Sequence, residues 1–297
     1  MVSEARSRGA RGRGGVRDTD VRPYTRALAV ALIPFLVAAW VLLYVLPGTT
    51  EQLFAWTITP ALSAMLLASA YVGGIWFFAL VIHAREWATV RRGYPAVLTF
   101  ATLALVATVL HWDRFHFGHV SFVTWVTLYI CSPFLVAAAL VIQRGSDRGS
   151  RGGETASAGH RIARWQRFVL AGVGIVASVT GIVLFINPAL LVDAWAWQLT
   201  PLTARITGAI LTLPGMVNVW LLVDARWIAF RGIFQAQLVS LAFIVVALAV
   251  ARKDLDWLRS LTPWIVGGFA VSAIAYAAFY LANDRAARRT GGRPAPP

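Results

Sequence analysis

Eight stretches of this chain carry no charged side chain and are each long enough to cross a lipid bilayer. They are Ala27–Leu46, Ala61–Ile82, Tyr94–Leu110, Ser121–Ile142, Phe168–Ile186, Ile206–Val223, Gly232–Val250 and Thr262–Ala282. A hydrocarbon layer of about 30 Å is spanned by an apolar helix of roughly 17–25 residues. Backbone N–H and C=O groups in lipid must pair within their own segment, so each stretch predicts a helix. The fold class expected is therefore an all-α polytopic membrane protein with eight transmembrane helices. Composition agrees: 58% of the 297 residues are hydrophobic and 13% are charged, about half the charged share of a soluble domain.

The chain bears a formal net charge of +14. In a soluble protein that surplus would suggest nucleic acid as a partner. Here it follows topology, and no nucleic-acid partner is expected. If the N-terminus is cytoplasmic, the basic residues outside the cytoplasmic segments are Arg114, Arg205, Arg252, Lys253 and Arg259, out of 27 in all. Such asymmetry places the loops rich in Arg on the cytoplasmic side, with both termini there, in a multi-pass protein of the cell membrane. Lys253 is the single lysine, a codon bias expected of a GC-rich bacterial genome. The partners implied are the bilayer itself and anionic lipid headgroups attracted to the Arg-rich segments. Cys131 is the one cysteine and reads as a small core hydrophobe.

Laying Arg26 on Arg167 superposes the chain on itself without a gap. In that register Pro47 falls on Pro188, Trp56 on Trp197, Thr59-Pro60 on Thr200-Pro201, Gly74 on Gly215, Ala84-Arg85 on Ala225-Arg226, and Asp113 on Asp254. Matches in polar and turn residues are harder to reach by chance than Leu on Val. Each unit holds four spans, and an even number returns the chain to the side it left. The two units are thus expected as parallel, same-orientation four-helix repeats. The domains read as a disordered Arg/Gly-rich tail at 1–25, a first repeat at 26–143, a Gly/Ser-containing flexible linker at 144–166, a second repeat at 167–283, and a disordered tail at 284–297.

The repeated motifs carry the candidate sites. Trp-x-x-Thr-Pro, at Trp56–Pro60 and Trp197–Pro201, reads as a helix start. Thr is a good N-cap, Pro suits the first helical position, and Trp anchors at the membrane interface. Gly73-Gly74 opposes Pro214-Gly215 in matching mid-membrane positions. Paired helix interruptions of this kind mark either a binding site or close helix packing. Asn218, one turn further, is a polar group expected to face protein or water. His83 opposes Asp224 at the cytoplasmic ends of the same spans. If those ends met, an imidazole and a carboxylate would form a gate or proton relay. Arg205 has the apolar Ala64 as its counterpart. It is expected to pair with Asp193 or hold an anionic group.

The loop from His111 to His119 holds three imidazoles, at His111, His116 and His119, and the Asp113 carboxylate. These are weak candidates for a metal, because the second unit's matching loop has no His. No phosphate-binding loop, nucleophile elbow, dinucleotide fingerprint or haem-attachment motif is present, so no cofactor is implied. Three functions stay open. One is a small-solute or ion transporter-like protein with its site between the repeats. Another is a structural or accessory protein using its Arg-rich cytoplasmic segments. The third is a membrane enzyme acting on a lipid-linked substrate at the His loop or Arg205.

Overall fold

The computed structural model describes residues 20–145 and 159–291. Among them there is no β-strand, only helices, turns and two isolated bridges. Eight helices are long and apolar enough to cross a membrane. They are α1 (Pro23–Trp40, continued by a π-helical turn Val41–Val45), α2 (Ala61–His83), α3 (Tyr94–Leu110), α4 (Val120–Ile142), α5 (Arg164–Ile186), α6 (Pro201–Asn218), α7 (Trp227–Val250) and α8 (Thr262–Gly291).

Several helices overrun the uncharged stretches. α1 starts four residues early, α5 starts at Arg164, α6 takes in Arg205, and α8 carries Arg288 and Arg289 in its last turn. Helix does not stop where hydrocarbon stops. It continues while the backbone can pair and long side chains can reach polar surroundings. Parts of the stretches expected as tails, 1–25 and 284–297, belong to helices. Residues 20–25 are ordered, with Val21 buried and its N–H donated to the Arg85 carbonyl at 3.0 Å. Residues 284–291 stay helical, with Asp284 held by Arg231 at 2.7 Å and Arg288 at 2.9 Å. Residues 1–19, 146–158 and 292–297, where the tails and linker were expected, lie outside the described residues.

The extensively packed helix pairs are α1 with α2, α5 with α6, α2 with α7, α3 with α6, α3 with α4, and α7 with α8, while α2 also touches α6. So α2 finds its main second neighbour in the other half of the chain, and so does α6. Some interactions recur in the two halves. The matching arginines Arg26 and Arg167 both donate to carbonyls beyond the end of the next helix, Ala84 for the first and Leu221 and Leu222 for the second. The matching carbonyls of Ala55 and Ala196 accept from the N–H groups of His116 and Asp256, both at 2.9 Å.

Glycines decide the closest approaches. A methyl group on Gly208 of α6 would run into the Gly181 carbonyl of α5, and one on Gly181 into that of Gly208. The two backbones are in contact there, a small-residue seam of the kind that joins helices in lipid. Gly208→Ala should therefore cost about 1–3 kcal/mol through forced separation of α5 and α6. Thermal unfolding in mild detergent reads this directly, and an unchanged melting temperature would contradict the seam.

The core divides into two buried clusters, one at each end of the bundle. One gathers Trp56, Trp125, Trp195 and Trp197, and the other Phe77, Trp87, Tyr94, Trp227 and Phe234. The first marks the Trp197 end of the bundle, and the second, near Asp224, the Asp224 end.

Candidate functional site

Between the two clusters lies an apolar cavity of about 260 Å³ to which all eight helices contribute. Three of its lining residues fix its depth. Gly73, Ser132 and Gln237 each stand ten residues from the Asp224 end of α2, α4 and α7. At 1.5 Å per residue that is roughly 15 Å, the middle of a layer of about 30 Å. The polar groups facing the cavity are few. Tyr71 and Tyr129 bond each other through their hydroxyls at 3.0 Å, Ser240 donates to the Ser69 carbonyl at 2.7 Å, and the Tyr276 hydroxyl accepts from Asn218. Ser272 also lines the cavity, and two groups on the lining are buried without a partner. Both amide atoms of Gln237 and the hydroxyl of Ser132 are buried and unpaired. No charged side chain lines the cavity.

Of the expected helix interruptions, Gly73, Gly74 and Pro214 line this cavity and Gly215 does not. None of them interrupts a helix. α2 runs unbroken through Gly73-Gly74, and α6 runs through Pro214-Gly215 to Asn218. The glycines serve close packing. A methyl on Gly73 would strike the Ser240 hydroxyl of α7, and one on Gly215 the Ser178 hydroxyl of α5. Asn218 is fully buried, but its amide donates to the Leu170 carbonyl at 3.0 Å and to the Tyr276 hydroxyl. It pins α5, α6 and α8 together and does not line the cavity.

His83 and Asp224 do not meet. His83 is exposed and its Nδ1 bonds the carbonyl of Ala79 one turn back, at 2.8 Å. Asp224 is buried and enclosed by arginines. Arg226 reaches it at 2.9 Å, Arg92 at 3.1 Å and Arg91 at 3.9 Å. Burial would raise the Asp224 acid, but the hydrogen bonds from Arg226 and Arg92 outweigh it and hold the carboxyl well below the usual range. A base so tightly ion-paired is no proton relay at neutral pH. Its chemistry is that of a clasp joining the α6–α7 turn to the start of α3, with the Arg92 guanidinium 4.6 Å above the Trp220 ring.

At the Trp197 end, Arg205 does not meet Asp193, which stays exposed. It donates instead to His111 Nε2 at 2.6 Å. Burial and the Arg205 charge both lower the His111 pKa, which keeps the ring neutral and able to accept. His116 bonds the Phe54 carbonyl and Thr57, at 3.0 and 3.2 Å. His119 caps α4 through the Ser121 N–H. Asp113 pairs with Arg114 at 3.1 Å. These four candidates are spread among separate tasks, and no group of three His, Cys, Asp or Glu able to hold a metal occurs among the described residues.

The Trp-x-x-Thr-Pro motif divides in function. Thr200 is the N-cap of α6, its hydroxyl accepting from the Thr203 N–H at 3.2 Å, as expected. In the first half Thr59 does not cap. The free Leu62 N–H of α2 is met instead by the Asp254 carboxylate, from the other half of the chain, at 2.9 Å. Neither tryptophan anchors at an interface: Trp56 and Trp197 are buried, and the Trp197 indole donates to Ser63 of α2 at 2.9 Å. Cys131, expected in the core, is exposed on α4.

Sequence reasoning passed over Gln237. It sits in the apolar run Phe234-Gln235-Ala236-Gln237-Leu238, and its counterpart in the first half is Ala96. A mid-span amide without a polar counterpart was the available signal. In comparisons with known proteins, no family model, no curated protein and no solved structure matches the chain.

Proposed function

We propose that this chain is a transporter-like protein of the cell membrane, in which two same-sense four-helix repeats enclose a small-molecule site. The hydrogen bonds that recur at Arg26 and Arg167, and at Ala55 and Ala196, support the repeat. So does the reciprocal packing of α2 on α7 and α6 on α3, which a two-fold axis along the membrane normal would generate. The distribution of arginines supports cytoplasmic termini, with the Asp224 end facing the cytoplasm.

The observation that carries the reading is the mid-depth cavity shared by all eight helices. Its lining has no charge, which favours a neutral cargo over an ion, because an ion at that depth would need a compensating group. A carrier exposes its site to water on at least one side during its cycle. Ser132→Cys, made in a Cys131→Ser background, should therefore react with a small membrane-impermeant thiol reagent in right-side-out or in inverted vesicles. Complete protection in both would sink the carrier.

A second reading, an accessory protein seated on anionic lipid, draws on the exposed Arg85, Arg144, Arg161 and Arg164 beside the exposed Trp165 at the Asp224 end. It expects that protected outcome.

A further inference from the structure

We propose that the cavity takes a neutral amphiphile from the bilayer, with an apolar body and one head group that both donates and accepts a hydrogen bond, such as an alcohol or a primary amide. This rests on the cavity being the binding site and names what it binds. Ser132 of α4, only 6% exposed, lines the cavity, and its hydroxyl is buried without a hydrogen-bond partner. Gln237 of α7 lines the cavity at the same depth, and its amide donor and acceptor are both buried and unpaired. Buried polar groups in a native structure are almost always bonded, and each exception calls for an explanation. Other buried unpaired atoms lie elsewhere, among them the Tyr94 hydroxyl, the Trp227 indole N–H and Asn218 Oδ1, but those of Ser132 and Gln237 are the ones on residues that line the cavity, where Tyr71, Tyr129, Ser240 and Tyr276 are already partnered.

The two unpaired groups select the head. A hydrocarbon would leave the Gln237 amide and the Ser132 hydroxyl unbonded, each at its full desolvation penalty. A cation or anion would be stripped of water against Phe77, Val136 and Ile244 with no countercharge. A hydroxyl or amide satisfies both Gln237 atoms in turn and leaves its apolar remainder against the lining. The route in is lateral. Val173 lines the cavity and is also 41% exposed on the flank of the bundle, so the cavity reaches the bilayer-facing surface. About 260 Å³ is room for roughly nine groups of the size of a water molecule, at about 30 Å³ each, which sets the length of the probe.

The full chain in lipid nanodiscs would be titrated with 1-octanol, n-octane and octyltrimethylammonium while its apparent Tm is followed. Octanol should raise Tm by roughly 2–3 °C at ten times its dissociation constant, octane by less, and the ammonium compound not at all. Gln237→Leu should melt no lower than the wild type and should lose the advantage of octanol over octane. Ser132→Ala, a milder change, should reduce it. Equal shifts from octane and octanol, or an octanol advantage that survives both substitutions, would overturn the ligand class and leave the cavity as a binding site. No shift from any probe, together with a higher Tm when Ala101→Phe fills the space, would make the cavity a packing void and take the proposed function down with it.

Discussion

Trp197→Ala should lower the stability of the detergent-solubilised protein by about 3–5 kcal/mol. Trp197 has no exposed surface, packs edge-on against Trp195 with ring centroids 5.6 Å apart, and donates its indole N–H to Ser63 on α2. Truncation removes one of the four buried tryptophans at that end and leaves a cavity the surrounding helices can only partly close. Trp197→Phe keeps most of the packing and forfeits the bond to Ser63, a loss of about 1 kcal/mol. Equilibrium unfolding of the three proteins separates the two contributions. An interfacial anchor would behave differently: both variants would unfold like the wild type, and that pattern would falsify the buried plug.

The second large effect is expected at the other end. Asp224→Ala leaves Arg92, Arg226 and Arg91 crowded in a largely buried site without their carboxylate, and removing one partner of such a group costs about 3–5 kcal/mol. Asp224→Asn retains hydrogen-bonding oxygen and should lose less. The pH dependence has a definite sign. The folded-state carboxyl titrates below its unfolded value, so the stability it contributes is fully present above the ordinary Asp range near about 3.9. That stability drains away as pH falls towards the folded value. The wild-type Tm should accordingly hold from neutrality to about pH 4 and drop below it, and the drop should be shallower in Asp224→Ala. Equal acid sensitivity in both proteins would mean that the arginines do not depend on Asp224.

The spans were legible because lipid imposes a simple demand, twenty or so residues without charge, which residues such as those of Tyr94–Leu110 meet on their face. Matched polar residues suggest the duplication in the same direct way. What the helices do to one another was much less legible. Asp224 and Arg92 are 132 positions apart and Leu62 and Asp254 are 192 apart, and nothing local in either pair announces its partner. His83 and Asp224 fall on one another when the sequence is laid on itself, yet that register does not dictate that the two side chains meet. From the sequence, Gly73-Gly74 and Pro214-Gly215 were compatible with close packing or with a binding site. Only the neighbouring helices, Ser240 and the Ala236 carbonyl against Gly73 and Ser178 and the Gly174 carbonyl against Gly215, show the close approach. Gln237 was hidden because two amides, Gln235 and Gln237, barely change the hydropathy of so apolar a span, and nothing local shows that Gln235 finds a partner in Tyr280 while Gln237 finds none.

The exchange of neighbours, α2 with α7 and α6 with α3, bears on how such a chain is made. When the ribosome has delivered the first four spans, α2 and α3 still lack the surfaces against which they will finally rest. Those hairpins must wait in the bilayer, shielded by lipid or by an insertase, until the later spans arrive. By the same logic the two halves, synthesised as separate polypeptides in one cell, should recognise each other and assemble, while either one produced alone should be cleared by membrane proteases.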